Sequence, residues 1–334
     1  MSGPGKFPGP GMPDFGKLPP LGGFDPKNGM PPFPPGGPGM PPKEMEADVS
    51  RVSDKILDLA YGDKSPNQKL DLYLSRAGTA PHPVIVYIHG GGFAMGSKRD
   101  EHMLCLLQFR KLGWTIAAVE YRLSGEAPFP AAVHDVKSAV RFLKHNAEKY
   151  GLDKDRFAAM GGSAGGNLSA MLAVSADHPE LDDPDCPYNR ESCAVAAAVD
   201  WFGPVDFAKM DEQARANGFS FTDHGEGRSP ESQYLGTALA DCDPKTSAAA
   251  GPFPYLSKDM APILIEHGSR DRFVPPAQSE ELYQAVIAAA GKDKAEYHVL
   301  AGADHGDPMF EADYNMETTR VFLSRVFQSL KGAR

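Results

Sequence analysis

With 334 residues, 41% of them hydrophobic and 23% charged, the chain has the balance of a globular protein that buries a core large enough to offset the entropy of ordering it. A formal net charge of -10 excludes a general affinity for nucleic-acid backbones, which rests on Lys and Arg neutralising phosphates. There is no run of about eighteen apolar residues and no basic start followed by an apolar stretch, so membrane insertion and a secretion signal are not expected and a cytoplasmic protein is.

Residues 1–42 are dominated by Pro, Gly and Met, a composition with too little apolar area to pack, and read as a disordered tail. Such a segment serves either as an extended arm for a protein partner or as a solvated tail with none. From residue 43 to 334, short apolar runs alternate with stretches of helical period, which predicts one α/β domain on a parallel sheet. The predicted strands are Leu70–Leu74, Val84–His89, Ile116–Glu120, Phe157–Met160, Val195–Trp201, Ile263–His267 and Tyr297–Leu300. Several are unbroken Val, Ile and Ala stretches, as strands buried on both faces should be. Val133, Val136, Val140 and Leu143 place one apolar face on a helix over about 131–149, and further helices are expected at 168–175, 278–290 and 318–330. Residues 204–260 read as irregular, a lid or substrate-contacting insertion between two strands. No repeat of fixed period is apparent.

Cys105, Cys186, Cys193 and Cys242 lack the paired short spacing of a zinc site and are too sparse for a disulfide scaffold, so reduced structural thiols are expected. Cys186 and Cys193 flank a polar loop and would be able to bridge in an exported protein.

The chemistry concentrates in four places. Gly161-Gly162-Ser163-Ala164-Gly165 stands after one predicted strand and before a predicted helix. A serine at the tip of such a sharp turn has its hydroxyl exposed, and glycines on either side let strand and helix approach closely. The start of the helix also favours negative charge at the reacting centre. His89-Gly90-Gly91-Gly92-Phe93 ends an earlier strand, and its glycines allow the N–H groups of Gly91 and Gly92 to join that of Ala164 around a developing oxyanion. Alone, that run would equally serve as a flexible loop or a phosphate cradle.

A serine hydroxyl at neutral pH needs an adjacent base, and the base needs a third group to hold its tautomer. In this fold the acid precedes the histidine in the chain. Asp271 follows a strand in His267-Gly268-Ser269-Arg270-Asp271, and His305 follows the last strand in Ala303-Asp304-His305-Gly306. Of ten histidines, only His305 occupies a glycine-bordered loop after the final strand; His89, His267 and His298 belong to strands, His134 and His145 to a helix, His224 to the insertion. Asp304 and Asp307 are alternative acids, although residues so near the histidine in sequence rarely point back at its ring. Phe93, Trp201 and Phe202 read either as core packing or as walls of a substrate pocket. Arg122 and Asp135 read as a structural ion pair.

In HGGGFAMGS, GGSAGGNLSAML, VDWFGPVDF, HGSRDRFVPPAQSEELYQA and GADHGD the chain resembles the hormone-sensitive-lipase-like esterases, and more closely the bacterial acetyl xylan and feruloyl esterase-like (BD-FAE-like) branch of the α/β-hydrolases. The resemblance runs from about Asp58 to the C-terminus. It implies an eight-stranded, mostly parallel sheet, no metal or cofactor, and short or aromatic acyl esters of carbohydrates as substrates. Carried over by position, Ser163, Asp271 and His305 form the triad and Gly91, Gly92 and Ala164 the oxyanion hole. Asp304 departs from the pattern, standing where such enzymes more often have glycine. The resulting expectation is a serine esterase that removes acetyl or feruloyl groups from small sugar esters. An amide hydrolase of the arylformamidase or small-peptidase kind, and a non-catalytic scaffold acting through its tail, are the rival readings.

Overall fold

The computed structural model describes residues 46–218 and 222–332, so the expected tail over 1–42 lies outside the described residues. Within them the chain runs β1 (Lys55–Ala60), β2 (Lys69–Tyr73), β3 (His82–Ile88), α1 (Glu101–Leu106), β4 (Thr115–Val119), α2 (Ala131–His145), α3 (Ala147–Tyr150), β5 (Leu152–Gly162) and α4 (Ala164–Val174). It continues through β6 (Ala197–Trp201), α5 (Met210–Ala216), α6 (Pro230–Leu235), α7 (Pro244–Ala249), β7 (Ile263–Gly268), α8 (Ala277–Ala290), β8 (Ala295–Leu300) and α9 (Asp313–Gly332).

The eight strands form one sheet in the order β1-β2-β4-β3-β5-β6-β7-β8. β2 is antiparallel to β1 and β4, and every pairing from β4 through β8 is parallel. The reason lies in the apolar runs: β4 reads TIAAV and β6 AAVDW, each wholly buried, so both faces must be covered and only crossover helices can cover them. Val84, Val86 and Ile88 of β3 point into the layer that contains Val133 of α2, Leu168 of α4 and Leu282 of α8. Ile85 and Tyr87 alternate to the other face, with Met103 of α1 and Leu323 of α9.

Three differences from the sequence reading have local causes. β1 was not expected; its pattern KILDLA is largely solvent-facing and interrupted by an irregularity between Ile56 and Leu59, with Asp58 at φ +57°, so no apolar run marks it. The helix expected over 131–149 breaks at Asn146, whose φ of -97° and ψ of 16° leave the helical region, and α3 is a separate turn. The segment 204–260, expected to be irregular, holds α5, α6 and α7. α6 and α7 begin at Ser229-Pro230 and Asp243-Pro244, with the Ser229 and Asp243 side chains accepting from Ser232 N and Lys245 N. A capping side chain followed by proline at the first position is a helix-start signature that a search for long apolar periods passes over. All four cysteines are free thiols. Among the described residues no helix is long and apolar enough to cross a membrane.

Arg122 and Asp135 do pair: the guanidinium donates from Nη2 at 2.7 Å and from Nε at 2.9 Å, and the Arg122 amide adds a third bond to the same carboxylate at 2.8 Å. This clamps the loop after β4 to α2.

Candidate active site

Ser163 lies between β5 and α4, at φ +56° and ψ -122°, a region that costs a non-glycine residue about 1–3 kcal/mol and persists only where the surroundings impose it. They impose it by crowding. A Cβ on Gly161 would stand 2.3 Å from Ile88 O, and one on Gly165 2.0 Å from the same atom, so strand β3 and helix α4 meet across the turn only because both positions are glycine. The Ser163 amide donates to Trp201 O at 2.9 Å, tying the turn to β6.

The glycine loop after β3 abuts this turn. Gly91 and Gly92 have φ of +100° and +58°, and a Cβ on Gly90 would touch Gly162 O at 3.0 Å and the Ser163 Cβ at 3.5 Å. The loop is fixed by its own backbone, with the amides of Ala94 and Met95 both donating to Gly91 O at 3.1 Å. Ala164, buried, opens α4.

Asp271 and His305 arrive from the loops after β7 and β8. These loops are stitched together: Ser269 N donates to Leu300 O at 3.0 Å, and Arg270 N to Ala303 O at 2.9 Å. Across them, His305 Nδ1 donates to Asp271 Oδ2 at 2.7 Å, and the Ser163 hydroxyl stands 3.0 Å from His305 Nε2. The carboxylate can only accept, so the imidazole proton resides on Nδ1 and Nε2 is free to accept from Ser163. Asp271 is fully buried, and its Oδ1 accepts from the amides of Phe273 and Val274, both at 2.9 Å. Burial works to raise its pKa, but the positive charge of His305 and the hydrogen bonds of His267 and His305 outweigh it and hold the carboxyl well below the usual range.

Asp304 does not compete for the histidine. Its Oδ2 accepts from Arg272 Nε at 2.6 Å, and its Oδ1 takes the amides of His305 at 2.9 Å and Arg272 at 3.1 Å. Burial opposes the effect, yet the Arg272 bond keeps this carboxyl below its ordinary value. Asp307 turns to its own helix start, accepting from Met309 N at 2.9 Å.

The three aromatic candidates have separate places. Phe93 is buried and stacks on Tyr234 of α6 with ring centroids 3.8 Å apart. Trp201 is buried with its indole N–H donating to Glu266 Oε2 at 2.6 Å. Phe202, at φ +42°, packs edge-on against the His305 ring at 4.7 Å. Sequence reasoning passed over Phe273, which is 50% exposed and lies 5.7 Å from His305 by ring centroids, and His267, which lies behind the acid. Among the described residues no group of three or more His, Cys, Asp or Glu is arranged to hold a metal ion.

A serine on a strained strand-turn-helix, faced by histidine and aspartate from the loops after the last two strands of a mostly parallel eight-stranded sheet, defines the α/β-hydrolase class. Residues 70–286 match the BD-FAE family, and the chain belongs to it. The matched span includes Ser163 and Asp271; His305 lies beyond it. Esterase LipQ of Mycobacterium tuberculosis is 30% identical over 85% of this chain and 65% of its own length, and Esterase LipC of the same organism is 27% identical over 80% and 64%. The chain thus spans less than two thirds of either relative. Among solved structures, one titled a truncated carbohydrate esterase from gut microbiota superposes with a TM-score of 0.73 at 26% identity, covering 84% of this chain and 99% of that one. A bifunctional GH43-CE protein of Bacteroides eggerthii superposes equally well, TM-score 0.73, at 28% identity over 81% of this chain and 35% of its own.

Proposed function

We propose that the protein is a carboxylic ester hydrolase working through an acyl-enzyme on Ser163. The observation that carries this reading is the unbroken line from the Ser163 hydroxyl to His305 Nε2 at 3.0 Å and from His305 Nδ1 to Asp271 at 2.7 Å. In the first half-reaction Ser163 Oγ attacks the ester carbonyl while His305 takes its proton, and Asp271 stabilises the imidazolium without taking the proton itself. The amides of Gly91, Gly92 and Ala164 receive the negative oxygen, each such donor contributing roughly 10²–10³ in rate. His305 returns the proton to the leaving alcohol. Water activated by the same histidine then releases the acid and restores Ser163.

The substrate class we assign is short acyl esters, acetyl first and feruloyl second, of small carbohydrates. The carbohydrate part is supported by the likeness to a structure titled a carbohydrate esterase, and the acyl part by the sequence resemblance to acetyl xylan and feruloyl esterases. Residues 204–260 serve as the substrate-contacting insertion. Pro230 of α6 lies over Gly92, which a Cβ would bring within 2.9 Å, and Phe207 and Tyr234 pack on Phe93 behind the glycine loop.

Hydrolysis of acetylated xylo-oligosaccharides, a feruloyl ester, an activated acetyl ester and N-formylkynurenine, compared side by side, tests the assignment. The acetyl esters are expected to turn over fastest and Ser163→Ala to abolish turnover in a protein that still folds. Preference for the formamide would replace the ester reading with amide hydrolysis, and full activity in S163A would remove Ser163 from the chemistry.

A further inference from the structure

Behind the catalytic acid stands a second imidazole that the mechanism above does not use. His267, near the end of β7, is fully buried, with Nδ1 2.6 Å from the hydroxyl of Ser279 in the first turn of α8. Its Nε2 lies 2.9 Å from Val274 O and 3.3 Å from Asp271 Oδ2. A carbonyl and a carboxylate oxygen are both pure acceptors, so Nε2 must carry the proton. In the neutral ring Nδ1 is then the acceptor, and Ser279 donates to it. The ring thereby joins three segments: the strand that precedes the acid, the loop that carries it, and the helix that follows. Val274, whose carbonyl His267 grips, is also the residue whose amide donates to Asp271 Oδ1.

From this geometry we infer that His267 is a positioning residue for the proposed esterase chemistry. Held in one tautomer by the two acceptors at Nε2, with Ser279 donating to Nδ1, it fixes the Val274 turn and presents its Nε2–H to Asp271 Oδ2. The inference rests on the Ser163 reading for its catalytic consequence, but not for its structural one. Asp271 accepts from both imidazoles through the same oxygen, Oδ2, so the His267 N–H draws charge from the atom that His305 uses. Removing that donor makes Asp271 a stronger acceptor for His305 and loosens the loop that aims it. The charged groups that face His267 are Asp271 from its own loop and Asp200 from β6.

Two neutral substitutions separate the effects. In His267→Asn the amide superposes on Nδ1, keeping the Ser279 contact but losing the donor at the Nε2 position. In His267→Gln the longer side chain places an N–H where Nε2 stood. We expect H267N to lower kcat about tenfold with KM unchanged and to move the acid limb of the kcat/KM profile upward by about 0.5 pH. The far-downfield proton resonance of the His305–Asp271 hydrogen bond should shift further downfield. H267Q should restore all three towards wild type. The resonance is read without substrate, so an enzyme inactive on every ester tried would sink the function and leave this inference standing or falling on its own spectrum. A folded H267N whose resonance and acid limb match wild type would overturn it, as would equal losses in H267N and H267Q.

Discussion

Glu266, inside β7, and Asp271, in the loop that follows it, are both fully buried carboxyls, yet their proton affinities move in opposite directions. At Asp271 the charge of His305, with the bonds of two imidazoles, outweighs burial, and the group stays ionised. At Glu266 burial dominates, and the bonds from Trp201 Nε1 and Asn315 Nδ2, both to Oε2, only partly offset it; the pKa is pushed up to about 7, and Oε1 has no hydrogen-bond partner among the described residues. Asp200 on β6 belongs with Glu266: burial raises it to about 6, only partly offset by the amide bond from Gly203 and the charge interaction with His267. Depth alone therefore does not set the charge of these acids. Donors on both oxygens, two of them imidazoles, do.

The largest effect that breaks this comparison is Asp271→Asn. Its amide cannot hold the Nδ1–H tautomer of His305, and kcat should fall roughly 10³–10⁴-fold while the folded structure persists. A loss under tenfold in steady-state assays would show that the acid lies elsewhere.

Next come the two strained acids, whose effect is on stability. A carboxyl with a raised folded-state pKa holds its proton over a range in which the unfolded chain has already lost it, so stability falls as pH rises, from about 4.5 to 7 for Glu266 and from about 4 to 6 for Asp200. The shifts correspond to at most about 3.5 kcal/mol for Glu266 and about 3 kcal/mol for Asp200, fully felt above pH 7 and absent below pH 4. Glu266→Gln and Asp200→Asn should each flatten the decline in unfolding free energy between pH 4 and pH 7 in urea titrations. Unchanged slopes in both variants would mean that these carboxyls are ionised at little cost.

The smallest expected effect is at the exposed end of the acid loop. Arg272→Ala frees Asp304 from its guanidinium, yet Asp304 still accepts from the amides of residues 272 and 305. We expect kcat/KM within threefold of wild type, because screened surface pairs contribute little. A fall beyond tenfold would make the Asp304 pair part of what orients His305.

Much of this architecture is legible in the sequence because it depends on local constraints. The buried strands announce themselves as unbroken apolar runs, and the turn at Ser163 by glycines that no other residue replaces without a clash. β1 leaves no such mark, being an exposed edge with mixed polarity, and α6 and α7 are too short to show a period. His267 was readable as a strand residue and nothing more. Its role depends on Val274 and Ser279 folding back over it, seven and twelve positions on, a relation that spacing alone does not reveal. Likewise the sequence leaves Asp304 open as an alternative acid, and its actual partner, Arg272, lies 32 positions earlier in another loop.

Mass spectrometry of the intact protein and its peptides after brief treatment with a fluorophosphonate tests the central claim most directly, since a serine activated by a neighbouring base attacks such a reagent far faster than other side chains. A single adduct should form on the peptide carrying Ser163, and its rate should drop steeply in H305A. An unmodified protein, or an adduct on another residue, would contradict the account.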